Sequence, residues 1–348
     1  MNKNVRQIFL PVITAFVWGM AFVAQDYCAD KIGVFQTLVG RNLAGFLAML
    51  VVLYAFRTIS KKKEARSVNE TNSVTEEAVY KASNSEASGA ASTQAIASAS
   101  GSNVASGRGN KTLIIGSVCL GVSLFVGMLL QQVGIILGTE VGKAGFLTSL
   151  YVVIVPLLGI AVGERPSLKL WVAVLVAVLG LYFLSIKGDF SLALEDALVL
   201  SCAVAFAIYI QLAAYFSVRC DAIALSTYQL LVAGLISLPF FLLTETFSWE
   251  MFVSTLPSIL YLGVFSSAIG FTLQLIAQKG TNTTVVTLLM SLESVFAAFG
   301  GWVLLGQVMS GRELFGAALM LAAVILAQIP TSHKATQESA SVAHQTSN

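Results

Sequence analysis

Glu293 and Arg41 are the two side chains whose placement most needs a reason. Each interrupts a long apolar run, 283–304 for the carboxyl group and 34–56 for the guanidinium. In apolar surroundings a carboxyl group can take up and release a proton or hold a cationic part of a ligand, and a guanidinium can clamp an anion. Burying either costs about 2.5–3.5 kcal/mol on insertion scales. They serve either as functional groups facing a cavity or as a buried ion pair that only fixes packing. Glu293 lies ten residues into its run, about 15 Å deep and so near the middle of an apolar layer. Arg41 lies closer to one end.

Amides form a second set: Gln25, Gln131, Gln132, Gln211, Gln229, Gln274 and Gln278, with Asn42 beside Arg41. They can line a polar path or simply bond between helices, the latter worth about 0.6 kcal/mol on average. Trp18 can stack on a ligand or pack against a neighbour. Glycines at close spacing, Gly134/Gly138/Gly142 and Gly159/Gly163, are expected to let helices approach closely. Catalytic and metal chemistry find no support. His333 and His344 lie in a polar tail, and Cys28, Cys119, Cys202 and Cys220 lack the spacing of a metal knuckle or redox pair. No phosphate-binding glycine loop occurs, so no cofactor or metal is expected and ATP-driven work by this chain is unsupported.

These side chains must be positioned by helices. The chain has 348 residues, 56% of them hydrophobic and 11% charged, where a soluble domain carries about 25% charged residues. Too little polar surface remains to cover the molecule, so lipid must cover it. The net charge of +2 argues against a nucleic-acid partner. Apolar stretches long enough to span a bilayer run near 8–25, 34–56, 113–137, 143–162, 168–186, 193–214, 221–243, 255–276, 283–304 and 313–330. The first follows a short basic start, but its length and lack of a small-residue cleavage site read as an uncleaved helix. The stretch 57–112, rich in Ser, Ala and Asn, and the tail 331–348 read as disordered segments. Fifteen of the 20 Lys and Arg fall on the side holding the first residues. Lys31, Lys143, Lys187 and Arg312 fall on the other, and Arg41 lies inside a helix. The positive-inside rule therefore puts both ends of this sequence in the cytoplasm.

The chain also repeats itself. A shift of 143 residues pairs Gly163 with Gly306, Glu164 with Gln307, Ser167 with Ser310, Lys169 with Arg312 and Gln131 with Gln274. Nearer the start of each half the shift grows to 186–188, bringing Gln25 to Gln211 and Arg41 to Gln229. The 56-residue connection 57–112 against its 11-residue counterpart 244–254 accounts for the difference of 45. The expected fold is an all-α membrane protein of about ten transmembrane helices, in two five-helix repeats. Helices 1 and 2 lie within 1–56, helices 3 to 5 within 113–190, and the second repeat within 191–330. Five is odd, so the repeats are inverted in the bilayer, a design typical of secondary transporters.

Three segments carry a family resemblance: VWGMAFVAQ, VGRNLAGF around Arg41, and KAGFLTSLYVVIVPLLGIAVGERPS. With TLLMSLESVFAAFGGWVLLGQ in the second half, the chain resembles the EamA-type drug/metabolite transporters. The resemblance implies ten helices, cytoplasmic termini, and carrier-type export or exchange of small metabolites, amino-acid-like or drug-like. It maps the family's helix-9 Glu onto Glu293 and its helix-2 Arg onto Arg41. Ser294 stands where the family has Pro, and Gln307 where it has Glu. The expected partners are a small-molecule substrate and the bilayer of the cell membrane, with a homodimer left open. An uncoupled facilitator, a flippase for lipid or sugar conjugates, and a non-transporting scaffold remain as alternatives. If the 57–111 insert is accessory, removing it leaves transport by the inserted protein unchanged; a correctly inserted but inactive protein would show the insert to be essential.

Overall fold

A computed structural model describes residues 3–83, 106–186, 193–305 and 310–329. Among these residues the regular structure is entirely helical. Nine helices are long and apolar enough to cross a membrane: α1 (Gln7–Ala29), α2 (Val34–Ile59), α3 (Asn110–Ile136), α4 (Val141–Ala161), α6 (Leu194–Ser217), α7 (Ala222–Thr244), α8 (Trp249–Gln278), α9 (Thr283–Leu304) and α10 (Gly311–Gln328). The shorter apolar helix α5 (Leu168–Leu184) completes ten. This is a multi-pass membrane protein, as the apolar runs predicted.

The packing has the pattern of an exchange between halves. Helix α3 packs on α6 and α7, while its counterpart α8 packs on α1 and α2. Helix α1 packs on α9 as α6 packs on α4, and the self-related pairs α2/α7 and α5/α10 meet across the centre. Small residues permit these approaches. At the α5/α10 crossing, a Cβ on Gly180 would lie 2.8 Å from the Gly316 carbonyl oxygen, and one on Gly316 would lie 2.6 Å from the Gly180 carbonyl. Two backbones can come this close only where both lack a side chain.

The glycine expectation is corrected in part. Gly134 does pack closely, since a Cβ there would run into Val199 and lie 2.9 Å from the Glu195 carbonyl oxygen, but a Cβ on Gly142 would meet nothing within 4 Å. Gly138 and Gly163 have φ of 113° and 92°, so they turn the chain beyond α3 and α4 rather than join helices.

The segment 57–112 also differs from its reading as a disordered loop. The second helix continues to Ser83 and the third begins at Ser106. Lys, Glu, Ala and Arg are frequent in 61–81 and favour helix. Growth from a helix already formed in the apolar layer avoids the cost of nucleation. Residues 84–105 and 330–348, the latter holding the tail and both histidines, lie outside the described residues.

Three of the rods are not simple α-helices, which periodicity did not predict. Helix α4 breaks at Leu150, between Val141–Ser149 and Tyr151–Ala161. Helix α9 breaks at Ser291 and Leu292, between Thr283–Met290 and Glu293–Leu305. At both breaks the backbone tightens to i→i−3 bonds: Leu150 N to Leu147 O, Leu292 N to Leu289 O and Ser294 N to Ser291 O, each 3.3 Å. The Ser291 hydroxyl bonds the Leu288 carbonyl at 2.8 Å, a local competitor with the helical ladder. Helix α8 widens into a π-helix over Tyr261–Gly270, and such insertions in other proteins often mark functional sites.

Overpacking typically costs about 1–3 kcal/mol. Gly316→Val is therefore expected to lower the thermal midpoint of the purified protein or abolish its monodisperse peak, whereas Gly142→Ala should leave both unchanged.

Candidate functional site

The two breaks meet. The hydroxyls of Ser149 and Ser294 lie 2.7 Å apart, and Ser294 Oγ donates to the Gly145 carbonyl at 2.9 Å. Glu293 opens the second piece of α9, so its carboxyl group hangs at a break near the middle of the helix. Its Oε1 accepts from Ser149 Oγ at 3.2 Å, and the Tyr151 hydroxyl stands beside it without closing an ideal hydrogen bond. Both acid and neighbours are buried.

Arg41 faces the same interior from α2, 3% exposed. Its guanidinium donates from Nη2 to Ser266 Oγ at 3.1 Å, from Nη1 to Gln25 Oε1 at 3.3 Å and from Nε to Ser267 Oγ at 3.4 Å. The π-turn of α8 brings two consecutive serines onto the guanidinium. The Ser266 carbonyl also accepts from Trp18 Nε1 at 3.0 Å. All three acceptors of Arg41 are neutral. A guanidinium carries five N–H donors and stays charged in proteins, so donors and a full positive charge remain for another acceptor.

Between Arg41 and Glu293 lies a cavity of about 50 Å³. Trp18 and Gln25 of α1, Gln131 of α3, Gln274 of α8 and the aromatic rings of Tyr151, Phe206, Tyr209 and Phe271 line it as well. Neither amide atom of Gln274 has a partner, although the residue is fully buried. The volume holds a few waters in this conformation.

Of the residues singled out in the sequence, Trp18, Gln25, Arg41, Gln131, Gln274 and Glu293 come together here. Three do not. Gln132 donates to the Gln25 carbonyl at 3.3 Å, behind the wall. Gln229 accepts from the Tyr209 hydroxyl at 3.1 Å and so reaches the cavity only through that ring. Gln211 donates to the Val155 carbonyl at 2.9 Å and lines a separate pocket at one end of the bundle. The ion pair weighed for Arg41 and Glu293 does not form: they face one cavity with separate partners. Ser149, Tyr151, Tyr209 and the Ser266–Ser267 pair escaped the sequence reading. A serine pair inside an apolar run was the one signal that could have shown them.

The closure differs at the two ends. At one, the Glu245 carboxylate beyond α7 accepts the backbone N–H groups of Phe35 and Gln36 at 2.8 and 2.7 Å, capping the start of α2. At the same end Lys143 and Asp196 form an ion pair of 2.5 Å between α4 and α6. At the opposite end a pocket of about 610 Å³ opens beside α4, α6, α8 and α9.

Residues 193–328 match the model of the EamA-like transporter family. The second repeat is thus similar to an EamA-like unit. That span takes in α6 to α10 and hence Glu293 and Gln274, while Arg41 lies outside it. A protein of Archaeoglobus fulgidus named an uncharacterized transporter is 31% identical over 192 residues, 55% of this chain. The match spans 61% of that relative's length. A solved crystal structure aligns over 94% of this chain and 98% of its own with a TM-score of 0.67. At 16% identity it shares the fold alone. The EamA-like resemblance read from the sequence thus holds.

Hydrogen bonds to charged groups contribute about 1.5–3 kcal/mol each. An acidic ligand that enters the cavity is therefore expected to bind Arg41→Gln about tenfold or more weakly than the wild type. Arg41→Lys should recover only part of this, since an ammonium cannot present two parallel donors. Equal affinity of wild type and Arg41→Gln for such an acid, measured by calorimetric titration, would remove Arg41 from the site.

Proposed function

We propose that this protein is a secondary carrier that moves small polar or amphipathic metabolites outward across the cell membrane by alternating access. The observation that carries the reading is the pair of unlinked ionisable groups on facing walls of one central cavity. Arg41 comes from the first repeat and Glu293 from the second. A cargo bearing an acidic and a basic group, such as an amino-acid-like metabolite, can satisfy both. Its carboxylate would meet the free donors of Arg41, its ammonium would meet Glu293, and its apolar part would lie among Trp18, Tyr209 and Phe271. The two unpartnered atoms of Gln274 are suited to a further polar group of the cargo.

Binding at the centre requires the cavity to expand. The broken helices α4 and α9 and the π-turn of α8 are the places where the bundle can yield without losing whole helical ladders. Opening toward one side separates α2 from α7 at Glu245, and opening toward the other widens the 610 Å³ pocket. With the ends assigned by the positive-inside rule, the pocket faces the cytoplasm and the Glu245 clasp faces outward. Loading from the cytoplasm followed by release outside is export. Glu293, the single acid on the cavity wall, is the group through which proton movement would couple to cargo.

Metabolites in the medium of cells producing the wild type and Glu293→Gln, at matched membrane abundance, test this reading. A few compounds should accumulate outside with the wild type and fall about tenfold or more with Glu293→Gln, as expected for loss of one charge-assisted contact. The remaining export should no longer depend on pH. Normal export by Glu293→Gln across the pH range would overturn the role of Glu293. Equal media from wild type and empty membranes would overturn export.

A further inference from the structure

The pocket at the inward-facing end has chemistry of its own. Gly163, with φ of 92°, turns the chain at the end of α4, and the backbone N–H of Glu164 bonds back to the Gly159 carbonyl at 2.8 Å. The turn folds the Glu164 side chain under the helix, so close that a Cβ on Gly159 would lie 2.8 Å from its Oε2. The carboxylate is then divided. Oε1 accepts from the Thr283 hydroxyl at the start of α9, 3.4 Å away, while Oε2 is buried without a partner.

Two more oxygens are in the same condition. Gln278, 1% exposed at the end of α8, donates its Nε2 to the Ile210 carbonyl at 3.1 Å and leaves Oε1 without a partner. The Thr281 hydroxyl is buried and unpartnered. Glu164, Gln278 and Thr281 all line the 610 Å³ pocket, with Gln211. The amide nitrogens there are committed, Gln211 to Val155 and Gln278 to Ile210. The uncommitted polar atoms are a carboxylate oxygen, an amide oxygen and a hydroxyl. Unpaired buried acceptors are costly, and an oxygen set of this kind suits a hard cation. One negative charge among neutral oxygens matches one positive charge. Arg165 and Lys279, the basic residues adjoining Glu164 and Gln278 in the chain, are both exposed.

We propose that this pocket is a binding site for a monovalent cation, held by Glu164 Oε2, Gln278 Oε1 and Thr281 Oγ1. The cation is either an alkali ion or the primary ammonium group of an organic molecule, since both present a single charge to oxygen acceptors. The site is separate from the central cavity and does not rest on the carrier reading. Both repeats build it, Glu164 coming from the first and Gln278 and Thr281 from the second. The residue matching Glu164 in the second repeat is Gln307, so the symmetry-related position carries no acid.

Thermal unfolding of the purified full-length protein tests the proposal. Sodium, potassium or methylammonium chloride would be titrated at constant ionic strength against N-methylglucammonium chloride, whose cation is far bulkier than an alkali ion or methylammonium. The wild type should show a saturable rise in midpoint with at least one of the small cations. An alkali response identifies an ion site, and a methylammonium response a site for organic amines. Glu164→Gln should abolish the response and Thr281→Val should raise the half-saturating concentration about tenfold, in line with loss of one contact to a charged ligand. Glu293→Gln should respond as the wild type does, which separates this site from the central one. If Glu164→Gln does not fold, Thr281→Val decides. The proposal is overturned if no small cation stabilises the wild type beyond the bulky one, or if the response survives both Glu164→Gln and Thr281→Val unchanged.

Discussion

A guanidinium held inside an apolar bundle without a carboxylate is the constraint around which this structure is arranged. Removing a charge from water is expensive, and Arg41 recovers the cost from neutral oxygens on two other helices. Each makes a demand on its own helix. Gln25 must point inward from α1, and Ser266 and Ser267 must face α2 together. Consecutive residues of a regular α-helix point about 100° apart; the wider π-turn over Tyr261–Gly270 brings both hydroxyls to the same cation. The small residues beside it complete the arrangement. A Cβ on Gly263 would lie 2.6 Å from that of Ala44 and 3.0 Å from the Arg41 carbonyl, so α8 can approach α2 closely enough for serine to reach.

The opposite wall is built by breaking helices rather than widening one. At their breaks α4 and α9 expose backbone groups that lipid could not satisfy, and such breaks are tolerated where protein covers them. Here each covers the other: Ser294 returns its hydroxyl to Gly145, and Ser149 reaches Glu293 and Ser294. The acid, its hydroxyl partners and the flexible points of the two helices are therefore one assembly. Any movement that separates α4 from α9 alters the surroundings of Glu293 directly. That coupling follows from contacts alone and gives the proposed carrier a route from helix movement to proton affinity.

The number of helices was legible because a bilayer fixes their length, and Arg41 and Glu293 were legible because a charge in an apolar run has few explanations. Facing was harder. These helices are apolar nearly all round, so the sequence shows how deep a side chain lies but not which neighbour it meets. Gln131 and Gln132 are consecutive, yet one lines the cavity and the other bonds the backbone behind it. The breaks at Leu150 and Ser291 were invisible for a related reason. Ser and Thr are ordinary within membrane helices, and only a tertiary partner determines whether a hydroxyl returns to its own backbone or leaves for another helix. The helix beyond Arg57 was not legible because its composition offers no apolar face to bury.

The repeat explains where symmetry ends. Backbone relations survive the exchange of halves: the packing pattern, the two broken helices and the amide pair Gln131 and Gln274 on one cavity. The charges do not. Arg41 is matched by Gln229, whose oxygen is satisfied by Tyr209. Glu293 is matched at the shift of 143 by Leu150, and Glu164 by Gln307. An inverted pair with identical side chains would place equal electrostatic conditions on both faces and have no intrinsic preference between them. Here Arg41, Glu293 and Glu164 each break that equality. The two ends of such a bundle can share a backbone geometry while presenting different side chains, Glu245 bonded to the start of α2 at one end and Glu164 lining the pocket at the other.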